Sequence, residues 1–150
     1  MKHRMPVTIM VLSFLLFLFG CASMPKKASG PVFAPAQVPS GKAVVYFFRT
    51  DKFMMSANTI FMSIPKAANN CFGMVTAGYY TWMTDPGKQT VSFAARDGEK
   101  DYTIDLKAGD VRYVKVDFND DFAPKSFYLE VPADQALPEI AKYRMIEACK

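Results

Sequence analysis

The most reactive side chains in this sequence of 150 residues are the thiols of Cys21, Cys71 and Cys149. A thiol can accept a lipid, form a disulfide, bind a metal ion or act as a nucleophile. The last two roles commonly use an imidazole, and the one histidine, His3, lies in the N-terminal segment before Cys21. Lipid attachment and disulfide formation are therefore the chemistry that we expect of these cysteines.

The segment before Cys21 has the organisation of a secretory signal peptide. Lys2 and Arg4 precede residues 7–19, which are apolar apart from one threonine and one serine, and Gly20 stands directly before the cysteine. A basic start and an apolar run shorter than a membrane span are typical of a signal that is removed. We expect residues 1–20 to be a cleaved signal, with an uncleaved anchor or cleavage elsewhere as the alternatives.

The motif Leu18-Phe19-Gly20-Cys21 resembles the lipobox of bacterial lipoproteins. The resemblance implies that Cys21 accepts a diacylglycerol and becomes the first residue of the mature protein. Several acyl chains hold a protein firmly to a bilayer, whereas one chain binds only reversibly. By the same resemblance, Ala22 permits transport to the outer membrane, so we expect a lipid-anchored envelope protein that faces the periplasm.

Removal of residues 1–20 limits the chemistry that the remaining chain can perform. The excess of basic over acidic side chains falls from four to two, and no histidine remains. This excludes Ser-His-Asp and Cys-His nucleophiles and zinc sites built on imidazole. The mature chain also lacks a basic run suited to nucleic acid. We expect a non-catalytic domain with no metal and no cofactor.

Cys71 and Cys149 remain as a pair once Cys21 is assigned to the lipid. Outside the inner membrane the envelope is oxidising, and an even number of cysteines there usually forms bridges. We expect a Cys71–Cys149 disulfide. Two buried thiols, or pairing with another chain, are the alternatives.

The elements that carry these cysteines are mostly predicted strands. Prolines at 25, 31, 35 and 39 favour an irregular tether over residues 21–41. From residue 42 to 150, short runs rich in β-branched and aromatic residues end at Gly, Pro or Asp, which predicts an antiparallel β-sandwich of about seven to eight strands. The runs lie near residues 43–49, 59–64, 71–75, 78–83, 90–95, 102–106, 113–118 and 127–131. A short C-terminal helix is expected from a cap at Asp134 to Ile146.

Three ordered segments, Pro39–Arg49, Ala77–Lys88 and Leu106–Lys115, resemble the bacterial lipoproteins grouped as domain-of-unknown-function family 2846. The first segment is a proline-led strand, the second joins a Gly-Tyr-aromatic strand to an Asp-Pro-Gly turn, and the third is a Gly-Asp turn before a strand. The resemblance implies a β-sandwich of the kind found in small envelope accessory domains. It implies no particular activity.

Tyr79, Tyr80 and Trp82 are the candidate ligand-binding residues. They lie on one predicted strand, with Tyr80 and Trp82 on one face and Tyr79 on the other. An exposed aromatic face could stack on sugars or hold a partner peptide. The alternative is that Trp82 packs in the core and the tyrosines are half-buried.

Two charged clusters are interpreted as solvated turns. One is Arg49 with its neighbours after the first strand, and the other contains Asp117, Asp120 and Asp121. The acidic cluster lacks the glycine and the bidentate glutamate of an EF-hand calcium loop.

The sequence therefore predicts a membrane-anchored domain that binds an envelope component, either a protein partner or a glycan such as peptidoglycan. A small histidine-independent enzyme that acts on glycans through paired carboxylates is one alternative. A purely structural periplasmic module is another.

Overall fold

The computed structural model describes residues 27–53, 56–65 and 70–149. The predicted signal peptide and Cys21 lie outside the described residues. Within those ranges the chain forms nine strands and one helix. In chain order they are β1 (Ala43–Phe48), β2 (Ile60–Ser63), β3 (Cys71–Met74), β4 (Gly78–Thr84), β5 (Gly87–Ala95), β6 (Gly98–Leu106), β7 (Val111–Phe118), β8 (Ser126–Glu130), α1 (Ala133–Ile140) and β9 (Arg144–Met145).

The strands form two sheets, which confirms the predicted β-sandwich. One sheet has the order β8-β7-β1-β4-β9 and the other has the order β3-β2-β5-β6. Most neighbours are antiparallel, but β1 runs parallel to β7 and β4 runs parallel to β9. Side-chain alternation identifies a strand without identifying its partner, so these two parallel pairs were not predictable from it.

The main core lies between the two sheets. It contains alternate residues of the facing strands, because successive side chains of a strand point to opposite sides of a sheet. Strand β1 contributes Val45 and Phe47 to this core, and Tyr46 and Phe48 lie on its other face. All six residues of β1 are buried, as its continuous apolar run predicts.

A second core covers the outer face of the five-stranded sheet. Ala136 and Ile140 of α1 pack there with Tyr46, Tyr79 and Tyr143. The predicted helix boundaries were wrong at both ends, since α1 starts after Pro132 without a side-chain cap and ends at Ile140. The chain beyond the helix is not helical because its backbone joins β4 as strand β9.

The proline-rich segment before β1 contributes to this second core. Phe33, Ala36 and Val38 pack against it, and the Phe33 ring lies edge-on to the rings of Tyr46 and Tyr79 at 5.1 and 5.2 Å. Among the described residues, packing is present from Ala28 onward, so the domain includes residues before the boundary expected at residue 42. Proline prevents regular pairing along this segment, but it does not prevent the apolar side chains between the prolines from being buried.

The C-terminal arm, residues 144–149, joins the two sheets at one side of the sandwich. Ile146 N donates to Tyr79 O of β4 at 2.9 Å, and Cys149 N donates to Cys71 O of β3 at 2.8 Å. A disulfide joins Cys71 and Cys149, whose Cα atoms are 5.3 Å apart, as the sequence predicts. The described residues contain no helix that is both long and apolar enough to cross a bilayer.

Candidate functional site

The three predicted ligand-binding aromatics do not form one exposed surface. Tyr79 is 2% exposed in the second core, and Trp82 is 8% exposed in the main core, where it stacks on Phe47 at 6.2 Å. Tyr80 is half-buried, with its ring 4.0 Å from that of Phe72. Of the two interpretations of these residues, core packing describes Trp82, because β4 is covered on both sides.

Tyr80 and Trp82 nevertheless line one groove, at the end of the sandwich where β1 starts and β4 ends. Its volume is about 420 Å³, within the range of small-ligand sites. Strand β4 supplies the two aromatic residues, and the β4–β5 turn and the start of β5 supply one polar wall. The lining residues are Lys42, Pro65, Tyr80, Trp82, Met83, Thr84, Asp85 and Gln89.

An ion pair forms the polar rim of the groove. Lys42 Nζ lies 2.7 Å from Asp85 Oδ1, and Gln89 Nε2 donates to the backbone oxygen of Asp85 at 3.1 Å. Both charged side chains are solvated, being 43% and 75% exposed. The pairing of β1 with β4 brings these two side chains together. Lys42 precedes β1 and Asp85 follows β4, and the two strands are antiparallel.

The aromatic side of the groove carries two polar groups of its own. Within the residues that the structure describes, neither the Tyr80 hydroxyl nor the Trp82 indole N–H has a hydrogen-bond partner. The Tyr80 phenol is protonated near neutral pH at its ordinary pKa, which burial raises further, so it can donate a hydrogen bond. The groove thus combines apolar ring surface with donors and acceptors on two sides.

Arg49 and Asp117 are not in solvated turns, which corrects the interpretation of both charged clusters. Their side chains are 0% and 1% exposed, and Arg49 Nε lies 3.8 Å from Asp117 Oδ1. Burial lowers the pKa of Arg49, and the Asp117 carboxylate opposes this shift. Asp120 and Asp121, by contrast, are exposed.

The Arg49 guanidinium also connects both sheets. Its Nη1 donates to the backbone oxygen of Met74 at 2.9 Å and to that of Asn58, and its Cζ lies 5.3 Å from the centre of the Phe118 ring. The pair is closed to solvent, so these contacts indicate a structural role. Sequence reasoning missed this pair because its two members are far apart in the chain and each lies beside other polar residues.

A second polar network joins the sheets at their other side. Lys100 Nζ lies 2.6 Å from Asp97 Oδ2, and the same oxygen accepts hydrogen bonds from Ser126 N at 2.9 Å and Ser126 Oγ at 3.1 Å. Burial alone would raise the pKa of Asp97, but the hydrogen bonds from Lys100 and Ser126 outweigh it and lower the pKa from 3.8 to about 2. This network connects the β5–β6 hairpin to β8.

Possible metal ligands are not clustered in the described part of the chain. Its residues contain no group of three or more His, Cys, Asp or Glu side chains placed to hold a metal ion. Among the residues that line the groove, Asp85 is the one carboxylate, and it is paired with Lys42.

Comparison of the chain with models of known families, with curated proteins and with solved structures gave no match. The resemblance to domain-of-unknown-function family 2846 therefore stays a prediction.

Proposed function

We propose that this chain is a lipid-anchored protein of the bacterial envelope whose sandwich domain binds a glycan without cleaving it. Its anchor is the diacylglycerol on Cys21, and its location is the outer membrane on the periplasmic side. The lipobox-like motif, the apolar signal before it and the likeness to family 2846 support the anchor and the location. The disulfide supports an oxidising compartment.

The observation that carries the binding proposal is the groove beside Tyr80 and Trp82. Sugars present apolar C–H faces and many hydroxyl groups. In the groove, the rings of Tyr80 and Trp82 are available to the C–H faces of a sugar. The Tyr80 hydroxyl and the Lys42–Asp85 pair are available to its hydroxyl groups. A glycan fits this mixture better than a purely apolar peptide does. An apolar peptide would desolvate the polar groups of the groove without forming hydrogen bonds to them.

The non-catalytic assignment is supported by the residue types in the groove. Glycan cleavage needs two carboxyl groups about 5–10 Å apart. The groove provides Asp85 alone, in an ion pair with Lys42. Without a second carboxylate, the side chains that line the groove can hold a ligand but cannot supply both a general acid and a base or nucleophile.

Co-sedimentation with insoluble peptidoglycan sacculi tests the binding proposal. Tyr80→Phe removes one hydroxyl and keeps the ring, so it should weaken retention by about 5-fold to 10-fold, the usual value of one hydrogen bond. Tyr102→Phe is the matched control, because Tyr102 is also half-buried but lies on β6, outside the groove. Equal retention of the two variants, or no retention of the wild-type protein, would overturn the proposal.

The anchor has a separate test. The N-terminal peptide of the protein purified from membranes should begin at Cys21 and carry the mass of its acyl chains. Cys21→Ala should release the protein from the membrane fraction. A peptide that begins elsewhere, or an unmodified Cys21, would refute the lipid anchor and leave the groove to be judged by its own experiment.

A further inference from the structure

The hydrogen-bonding side chains of the groove come from both sheets of the sandwich. Tyr80 and Trp82 lie on β4, which belongs to the five-stranded sheet, and Gln89 lies on β5, which belongs to the four-stranded sheet. All three residues line the groove. A ligand held between the sheets at this end therefore meets polar groups from two sides.

The β4 side of the groove supplies hydrogen-bond donors. The Tyr80 hydroxyl and the Trp82 indole N–H have no hydrogen-bond partner among the described residues. Neither is one of the polar side-chain atoms that those residues bury without a partner, so both reach solvent. An indole N–H can only donate a hydrogen bond, and a protonated phenol also donates one. This side of the groove therefore favours an acceptor on the ligand.

The β5 side supplies a hydrogen-bond acceptor. Gln89 Nε2 donates to the backbone oxygen of Asp85 at 3.1 Å, which orients the Gln89 amide. Gln89 Oε1 accepts no hydrogen bond from the residues that the structure describes, and a carboxamide oxygen is an acceptor. This side therefore favours a donor on the ligand. A neutral ligand group suits the groove, because Lys42 and Asp85, the charged residues of its lining, are paired with each other.

Little aromatic surface in the groove is left for stacking on a sugar. The Trp82 ring stacks on Phe47, and Trp82 is 8% exposed. The Tyr80 ring packs against Phe72, with the ring centres 4.0 Å apart. Hydrogen bonds must therefore determine which sugar is preferred, since a polar group that a bound ligand covers without pairing weakens binding.

We propose that the groove recognises the acetamido group of an N-acetylated amino sugar. This inference rests on the proposed glycan binding and names its ligand class. A secondary amide is planar and trans, so its C=O and its N–H point in opposite directions. The carbonyl oxygen accepts hydrogen bonds from the Tyr80 hydroxyl and the Trp82 indole N–H, and the amide N–H donates to Gln89 Oε1. A sugar hydroxyl carries its donor and its acceptor on one oxygen, so it cannot satisfy both sides of the groove.

NMR titration of the full mature protein in detergent micelles tests this ligand class. The two probes are the trimer of N-acetylglucosamine and the trimer of glucose with the same linkage, so that each acetamido group of the first is a hydroxyl in the second. We expect the N-acetylglucosamine trimer to bind about 10-fold to 100-fold more tightly, as one or two additional satisfied hydrogen bonds would give. The Trp82 indole resonance should shift with this trimer and respond far less to the glucose trimer.

Two variants connect the preference to named atoms. Tyr80→Phe removes one donor and Gln89→Met removes the acceptor, and each should weaken binding of the N-acetylglucosamine trimer by about 5-fold to 10-fold while changing binding of the glucose trimer little. Tyr102→Phe, on β6 and outside the groove, should leave both dissociation constants unchanged. A loss that depends on the ligand distinguishes a lost contact from a general effect on folding.

The outcomes separate this inference from the proposed function. Equal dissociation constants for the two trimers, or equal losses for both trimers in Tyr80→Phe, would overturn acetamido recognition. No binding of either trimer by protein that sediments with peptidoglycan sacculi would overturn it as well, and would leave glycan binding standing. Protein that neither sediments with sacculi nor responds to either trimer would overturn both.

Discussion

At the scale of single residues, the buried Arg49–Asp117 pair shows how the interior tolerates charge. Removing one partner of a buried pair leaves the other charge uncompensated, which is far more costly than losing a surface pair. Arg49 stays charged because Asp117 and two backbone carbonyls surround it. The pair is closed to ligands, so we expect it to affect stability and not binding.

Asp117→Asn should therefore lower the free energy of unfolding by about 3–5 kcal/mol, as measured by urea denaturation. Asp120→Asn is the control, since Asp120 pairs with Lys52 while its side chain is 78% exposed. The control should cost less than about 1 kcal/mol. Similar losses of unfolding free energy in the two variants would show that burial does not increase the contribution of the Arg49–Asp117 pair to stability.

Asp97 should make stability depend on acidity. Its pKa is lowered from 3.8 to about 2 in the folded protein, so it contributes stability that is fully present above pH 4 and is lost as the pH falls toward 2. Asp97→Asn should flatten the acid limb of a plot of unfolding free energy against pH. Asp105→Asn, an exposed aspartate on β6, should leave that limb in place. An unchanged profile in Asp97→Asn would contradict this assignment.

At the scale of elements, the segment before β1 acts as a part of the domain. Phe33 contacts Tyr46 and Tyr79 edge-on and completes the second core. Because Phe33 is only half-buried, Phe33→Ala should cost somewhat less than a fully buried ring, about 2–3 kcal/mol by chemical denaturation. Val32→Ala, at a 48% exposed neighbour, should change stability by less than about 0.5 kcal/mol. Equal effects would mean that the segment is a loose tether.

The disulfide holds the C-terminal arm against both sheets. Its cysteines are separated by 78 residues, and loss of such a bridge typically costs about 2–5 kcal/mol. Cys71→Ser with Cys149→Ser should show that loss in thermal or urea unfolding. Amide exchange at Met145 and Ile146 should also accelerate, because their hydrogen bonds hold the arm to its neighbours. Unchanged exchange there would show that the arm is held without the bridge.

The strands themselves were largely predictable because each leaves a local signal. The Asp97-Gly98 turn shows this, since Gly98 has a φ of 115°, which L side chains rarely adopt, and β5 and β6 pair on either side of it. The partners of β1 were not predictable, because nothing within its run of apolar residues points to β7. Arg49 was misinterpreted for the same reason, since its partner Asp117 lies on that distant strand.

At the scale of the whole molecule, the candidate site depends on contacts that no local pattern reveals. Tyr80 and Trp82 were candidates from their residue types alone. Lys42 and Asp85 complete the groove only because β1 and β4 are antiparallel neighbours, which brings together residues that are 43 positions apart. The same topology sends the loops that follow β1 and β7 to the opposite end of the five-stranded sheet.

The most direct test of the proposed function follows the one tryptophan of the chain, Trp82, which lines the groove. In a nitrogen-15 NMR titration with a soluble peptidoglycan fragment, its indole N–H gives a single resonance that can be followed. We predict a saturable shift of this resonance, together with the amides of Thr84 and Gln89, and a much weaker response in Tyr80→Phe. An indole resonance that stays in place while other residues respond, or a spectrum that does not change at all, would contradict glycan binding in the groove.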